Sequence, residues 1–477
     1  MNYDTQGLTN AGIDLVAPFS VDVRLEPELV DLADRDASVL DESITPLEFQ
    51  SVARILPGRR LSGIVQDLVG DQYFAKVFFG KGARRYWQRE LSGAASLARA
   101  GLTTPALVNQ GALADDQGFV VLYAALDAAV APDARDQQAV AQVVRSLAQL
   151  HERQLIQTDP HLDNFLLSAD KLYVVDADGV RPARRLQQQL DNLAAFFAQR
   201  APVCDGQIDQ LWSVYLEQRD AYVARMANLD MIRQLTHKQR KVRVRRYLQK
   251  TQRNCTEFVR KKSWDREFLC QRSHWPELQR LMWFPQEYFG EGTPLKLGNS
   301  ATVVRIVVAG TPYIVKRYNI KSVSHRVRRW FKRRARHAWM NGHQLDFLQI
   351  PTAKPVALLE LKWGWFVGVS YLIMPDVGHT HLVDVLRQQP ESFNALAPQV
   401  VSILAGLQAA GLVHGDLKGT NLMVADEQVW LIDYDGLASG QNKPTDQNRD
   451  VTRFLANFGE QPQQLERWQN LIEEARL

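Results

Sequence analysis

Residues 155–179 and 412–436 of this chain lie on one another without a gap, and this internal repeat constrains the fold more than any other feature. The first reads LIQTDPHLDNFLLSADKLYVVDADG and the second LVHGDLKGTNLMVADEQVWLIDYDG. Asp159 meets Asp416, Asn164 meets Asn421 and Asp176 meets Asp433, every pair 257 residues apart. In both copies the Asp and Asn are five residues apart, the Asn and the next Asp twelve, and a glycine (Gly179, Gly436) closes the segment. Helix caps and Asx-turns account for one isolated Asp–Asn pair. They do not account for the same spacings kept twice.

Upstream, each copy has a short β-prone run ending in lysine, Tyr73-Phe74-Ala75-Lys76 and Tyr313-Ile314-Val315-Lys316. A helical stretch follows each, then a Pro-containing break at 103–105 and 351–355, apolar strands at 118–126 and 366–374, and an amphipathic helix into the Asp loop. The order predicts a two-lobed α+β plan, present twice. Lys76 precedes Asp159 by 83 residues and Lys316 precedes Asp416 by 100. Of the 17 extra residues, eight are expected between the lysine and the end of the first helix, and nine between that helix and the Asp loop. The expected organisation is an acidic leader at 1–45, a first domain at 46–232 and a second at 233–477.

A chain of 477 residues can bury a core in each domain. Cys204, Cys255 and Cys270 are too few and too scattered for a disulfide framework or a zinc site, so a reducing compartment is expected. The start Met-Asn-Tyr-Asp has neither a basic nor an apolar secretion region, and no apolar run approaches 18 residues. Membrane contact, if made, is therefore expected at the surface. The net charge of +4 conceals blocks of one sign. Residues 1–50 hold 11 acidic side chains against Arg24 and Arg35, residues 238–262 hold 11 Lys or Arg, and residues 321–336 hold eight.

Phosphoryl transfer asks a protein for metal held on the phosphates, a cation on the α/β-phosphates and a carboxylate that orients the attacking hydroxyl. His414-Gly415-Asp416 through Asn421 fits the His-x-Asp-x-x-x-x-Asn kinase catalytic loop. On that pattern Asp416 and Asp159 are the catalytic carboxylates. Asn421 with Asp433, and Asn164 with Asp176, hold Mg2+, a hard cation that favours oxygen ligands. Lys316 and Lys76 bind the phosphates of ATP. The glycine segments, Gly58 to Gly63 and Gly298-Asn299-Ser300, are not GxGxxG and read equally as nucleotide contacts or ordinary turns.

Lys316-Arg317-Tyr318, Trp339 with Asn341, Ile350-Pro351-Thr352 with Lys354-Pro355, His414-Gly415-Asp416 and Ile432-Asp433 resemble the lipopolysaccharide core sugar kinases, which include the heptose and Kdo kinases. The run Arg245 to Thr251 with Cys255-Thr256-Glu257-Phe258 belongs to the same resemblance, which covers 240–460 well and 55–200 more loosely. It implies two tandem protein-kinase-like domains, each with a small β-rich lobe and a helical lobe. It also implies ATP and Mg2+ as cofactors, a core glycolipid as acceptor, and a place on the cytoplasmic face of the inner membrane. Each copy departs from the pattern. The first keeps Glu90, 14 residues after Lys76, as the lysine's helix partner, but has Gln157 where the loop histidine belongs. The second keeps His414 but has Ala338 at the position of Glu90 when Gln349 is aligned with Gly101. Asp178 and Asp435, in Asp-x-Asp-Gly, either add a metal ligand or shape the turn.

In 326–339 the apolar residues fall at helical spacing with Arg and Lys opposite, so a basic helix at 321–337 is expected to lie on an anionic membrane, together with 238–262. The competing reading is a solvated helix face. No aromatic-interleaved RNA module accompanies the charge, and no nucleic-acid partner is expected. The expected activity is phosphotransfer from ATP to an alcohol group of an inner-core sugar, heptose or Kdo. The alternatives are a kinase for a protein or small-molecule hydroxyl, and a scaffold of two pseudokinases.

Overall fold

The computed structural model describes residues 15, 17–25, 44–298, 300–319, 333–364, 366–378, 380–440 and 444–475. The chain divides into two units, Met1–Gln199 with Gln207–Thr236, and Arg200–Gly206 with His237–Leu477. The helix Leu229–Lys250 begins in the first and ends in the second.

In the first unit, strands Phe19–Leu25, Ile44–Leu56, Arg60–Gln66, Gln72–Phe78, Phe119–Ala124 and Leu107–Leu113 close, in that order, into an antiparallel barrel. Phe19–Leu25 comes from the segment read as an acidic leader. Its Phe19, Val21 and Val23 alternate into the barrel core while Ser20, Asp22 and Arg24 face away. On Gln72–Phe78 the same two-residue period sends Ala75 and Val77 into the barrel core and Phe74 and Phe78 into the helical core. Lys76 therefore points toward the helix Ala83–Arg99. Below lies the helix Gln137–Glu152, capped by Asp136, whose Oδ1 accepts from the Gln138 and Ala139 amides at 2.9 and 3.1 Å.

The second unit opens on a seven-stranded antiparallel sheet: Phe258–Lys262, Arg266–Gln271, Ala357–Trp363, Phe366–Pro375, Thr311–Tyr318, Ala301–Val308, Thr293–Leu297. Tyr313 and Val315 pack on one face of the sheet, with the helices Trp275–Trp283 and Pro285–Glu291. Tyr318, on the other face, joins the helical core, and Lys316 shares that face by the period of two. That core holds Leu396, Val400, Ile403 and Leu407 of the helix Phe393–Ala409 and the ring cluster Phe393, Phe454, Phe458 and Trp468. Trp468 stands 4.8 Å from Phe393 and 4.9 Å from Phe454, centroid to centroid. Such ring pairs contribute about 0.5–1.5 kcal/mol each beyond area burial. They fix the helix Pro444–Leu455, which carries Asp450 and Arg453.

The loops of the two units correspond element by element. Each has a short strand (Leu155–Gln157; Leu412–Val413), a 3-10 turn ending in Asn (Leu162–Asn164; Gly419–Asn421), a hairpin, and a second 3-10 turn (Ala177–Gly179; Tyr434–Gly436). A returning strand then pairs with the first (Val180–Pro182; Ala438–Ser439). The helix after the lysine strand ends at Arg99 in one unit and Phe347 in the other, 23 residues past Lys76 and 31 past Lys316. The added helix Leu382–Gln388 lies between that helix and the second Asp loop.

Candidate active site

In the first unit Lys76, only 6% exposed, donates to Glu90 Oε1 at 2.6 Å and to the Val175 carbonyl at 3.2 Å. The Tyr123 hydroxyl donates to the same Glu90 oxygen at 2.8 Å. Burial, then the Glu90 charge, push Tyr123 well above the usual phenol range, so it remains a donor. The helix reaches the lysine because Gly93 lets it touch the turn after Asp176: a Cβ there would stand 1.9 Å from the Ala177 carbonyl oxygen. Asp176 Oδ1 lies 3.9 Å from Lys76, and Arg89 holds Asp178 at 3.0 Å.

The second unit solves the same problem differently. Both helices end on a left-handed residue, Gly101 (φ 73°) and Gln349 (φ 57°). The amides of Leu102 and Ile350 then return to the carbonyls of Leu97 and Leu345, at 3.2 and 2.9 Å. That shared turn pairs Gly101 with Gln349, hence Glu90 with the fully buried Ala338 and Gly93 with Asn341. Asn341 spans the space by donating to the Tyr434 carbonyl at 2.8 Å, and Ala338 offers Lys316 nothing. Lys316 instead pairs with Asp433 Oδ1 at 2.6 Å and Asp435 Oδ1 at 3.1 Å. Asp433 is left-handed, φ 57° and ψ 47°, a conformation aspartate tolerates. Burial pushes its carboxyl up, but the charge and hydrogen bond of Lys316 outweigh this and the net shift is down.

The two Asp–Asn loops are held alike. Asn164 and Asn421 each donate from Nδ2 to the backbone oxygen of their own Asp, 159 and 416, at 2.7 Å. Each Oδ1 is left to act as an oxygen ligand. His414 Nε2 bonds the Ile432 carbonyl at 3.2 Å, and burial lowers its pKa despite Asp450, so it serves as a neutral orienting group. Gln157 takes over that role, donating to the Asp176 carbonyl at 3.0 Å and held by Asn192 at 2.7 Å. Asp450 accepts from the His414 amide at 2.6 Å and the Gly415 amide at 3.0 Å. Asp416 itself is half-exposed, with Lys418 at 3.2 Å and Arg453 at 3.4 Å. Asp159 has His161 at 3.6 Å and Gln199 at 3.4 Å in their place. Among the described residues no three or more His, Cys, Asp or Glu gather into a metal cage. One carboxylate and one amide oxygen per unit match Mg2+, which usually shares its shell with water and phosphate.

Tyr123, Asp450 and Arg453 were not singled out by sequence reading, and Tyr318 and Arg334 entered it only through a family motif and a basic helix, not as partners of Asp435. Asp450 and Arg453 carried no usable signal, being two polar residues on a polar-faced helix. Gly58 lies in the turn between the strands Ile44–Leu56 and Arg60–Gln66 and Gly63 inside the second of them; in the second unit Gly298 and Ser300 lie between the strands Thr293–Leu297 and Ala301–Val308, and Asn299 is outside the described residues.

The basic segments are more occupied than charge alone implies. Of 321–337, residues up to 332 lie outside the described residues, and the described helix is Arg334–Phe347. Arg333 and Arg336 face two buried carboxylates rather than solvent. Arg336 reaches Glu360 at 2.7 Å and Glu267 at 3.0 Å, Arg333 pairs with both, and Lys362 pairs with Glu267. Arg334 pairs with Asp435 at 3.2 Å. In 238–262, Arg240 is buried against Asp205, while Lys238, Lys241, Arg245 and Arg246 are exposed. No helix among the described residues is long and apolar enough to cross a membrane.

A β-rich lobe carrying a buried lysine, above a helical lobe carrying an Asp–Asn–Asp loop, defines the kinase-like class of α+β protein. Residues 301–474 match the model of the lipopolysaccharide kinase (Kdo/WaaP) family, and residues 74–196 that of the lipopolysaccharide core biosynthesis protein WaaY. The two matches fall in different units of the chain and make each similar to lipopolysaccharide core kinases. It is also similar to the probable bifunctional tRNA threonylcarbamoyladenosine biosynthesis proteins of Methanosarcina barkeri and Methanosarcina mazei. The first is 25% identical over 178 residues (34% of this chain, 28% of the relative), the second 29% over 127 (26% and 19%). The chain thus spans less than a third of the length of these relatives. Among solved structures, WaaP in complex with acyl carrier protein aligns at 21% identity and a TM-score of 0.30, over 41% of this chain and 89% of that one. An Stt7 homolog from Micromonas algae soaked with ATP aligns at 20% and 0.24, over 32% and 50%.

Proposed function

We propose that the chain is an ATP-dependent kinase built of two tandem protein-kinase-like domains, transferring phosphate to a heptose or Kdo hydroxyl of the lipopolysaccharide inner core at the cytoplasmic face of the inner membrane. The observation that carries this reading is the convergence of Lys316, Asp433, Asn421 and Asp416 in one unit, repeated by Lys76, Asp176, Asn164 and Asp159 in the other. In each, the lysine binds the α/β-phosphates, the Asn and second Asp hold Mg2+, and the loop Asp orients the sugar hydroxyl and accepts its proton. Mg2+ supplies charge neutralisation on the phosphates when bound. Labelled phosphate from γ-labelled ATP is expected on purified core glycolipid. Label on a protein or small molecule instead would move the acceptor. Absence of magnesium-dependent ATP consumption would favour a pseudokinase scaffold.

The exposed cations Lys238, Lys241, Arg245 and Arg246 are the surface we assign to an anionic leaflet, and the cations of 321–332, outside the described residues, are assigned to it from their sequence alone. Each contributes about 1 kcal/mol near such a surface, an attraction that salt screens. Charge reversal at Lys241, Arg245, Arg246, Arg328 and Arg329 is expected to abolish binding to vesicles containing anionic lipid while leaving the melting temperature within a few degrees. Wild-type vesicle binding insensitive to 0.5 M salt, roughly a threefold shorter Debye length than at 0.05 M, would refute it.

A further inference from the structure

We infer that Asp435 is the positioning residue for the phosphate-binding lysine of the second unit, taking the part that Glu90 plays in the first; the inference rests on the assignment of Lys316 to nucleotide phosphate. A lysine that must hold phosphate on one side needs a fixed anion on the other, or its flexible stem wanders. In the first unit that anion comes from the helix after the lysine strand, and Tyr123 fixes it. In the second unit the equivalent helix position is Ala338, buried and without charge.

Two carboxylates touch Lys316, and they are not equivalent. Asp433 is the residue assigned to Mg2+, so its pairing with Lys316 competes with the metal. Asp435 is fixed independently of any ligand. Its Oδ1 accepts from the Tyr318 hydroxyl at 2.9 Å, and its Oδ2 lies 3.2 Å from Arg334 Nη2. Tyr318 is buried, and burial followed by the Asp435 charge raises its pKa well above the usual phenol range, which keeps the proton on the donor side. Tyr318 lies two residues beyond Lys316 on the same strand face, so lysine and lock move together. The construction is the one seen in the first unit, a carboxylate held by a buried tyrosine against the strand lysine, with the carboxylate moved from the helix to the turn. The corresponding Asp178 is held by Arg89 and is not the partner of Lys76.

The test uses the full chain carrying Lys76→Met, so that calorimetry reads the second unit, with ADP as probe in the presence and absence of Mg2+. Asp435→Asn keeps the turn and one acceptor oxygen for Tyr318 but removes the charge and the oxygen that faces Arg334, and is expected to weaken ADP roughly 10- to 100-fold under both conditions, as loss of a charged hydrogen bond does. Arg334→Gln and Tyr318→Phe loosen the lock and should weaken ADP by about three- to tenfold, with adenosine affinity unchanged. In the chain carrying Lys316→Met instead, Asp178→Asn should leave ADP affinity within about twofold, whereas Glu90→Gln should lower it at least tenfold. Weakening of Asp435→Asn only when Mg2+ is present would make Asp435 a metal ligand and overturn the inference, as would unchanged affinity. No ADP binding by the parent chain would defeat the nucleotide-site reading itself, a separate result.

Discussion

Replacing Asp416 by alanine, in a chain whose Asp159 is also alanine, is expected to lower phosphate transfer to the core glycolipid by roughly 10²–10⁴-fold while leaving the protein folded. The size follows from the role. A carboxylate that orients the attacking hydroxyl acts only once the acceptor is present, so nucleotide binding, which we assign to Lys316, Asn421 and Asp433, is expected to be spared. The small effect on folding follows from the surroundings. The Asp416 side chain is half-exposed, and its partners Lys418 and Arg453 are 41% and 51% exposed, so the lost ion pairs are worth about 0–1 kcal/mol. Asn421 bonds the Asp416 backbone oxygen at 2.7 Å, a contact alanine keeps. Restoring Asp159 alone then reads the share of the first unit, whose loop has His161 and Gln199 where the second has Lys418 and Arg453. Undiminished transfer by the double variant would remove both loops from the reaction.

The parts of this site that sequence exposes are those whose geometry is local. The Asp–Asn–Asp loop is one contiguous segment, so its spacing is its structure. Lys76 and Lys316 are legible because a strand's two-residue period fixes which side chains share a face. What is not legible depends on residues far apart in the chain. The clamp on Asp435 needs Tyr318 and Arg334, 117 and 101 residues away, and only the folded sheet and helix bring them together. The same blindness misreads Arg333, Arg334 and Arg336. Periodicity shows that they leave the apolar face, but not that Glu267, Glu360 and Asp435 wait on the other. Phe19–Leu25 is a different failure. Its alternation is plain, Phe19, Val21, Val23, yet the surrounding acidic residues mark the whole segment as a leader.

Removing Glu90 should have the largest effect on stability of any single change at either site. Glu90 is fully buried and Lys76 nearly so, and the Glu90 Oε1 atom also receives the Tyr123 hydroxyl. Glu90→Ala therefore leaves a buried ammonium without its closest counter-charge and a buried phenol without its acceptor. Breaking such a pair from one side costs about 3–5 kcal/mol, measured as a lower denaturant midpoint for the first unit. Lys76 then turns to Asp176, 3.9 Å away and the nearest remaining carboxylate, which ties up a residue assigned to Mg2+. The companion variant separates stability from function. Lys76→Met with Glu90→Leu replaces both charges by apolar groups of similar volume, and such replacements are often neutral or stabilising. That chain should regain the part of the lost stability due to the unpaired ammonium, the Tyr123 hydroxyl still lacking its acceptor, and still fail to bind magnesium–nucleotide at the first site. A Glu90→Ala protein as stable as the parent would mean that the pair is not buried as described. Recovery of nucleotide binding in the apolar double variant would mean that Lys76 does not hold phosphate.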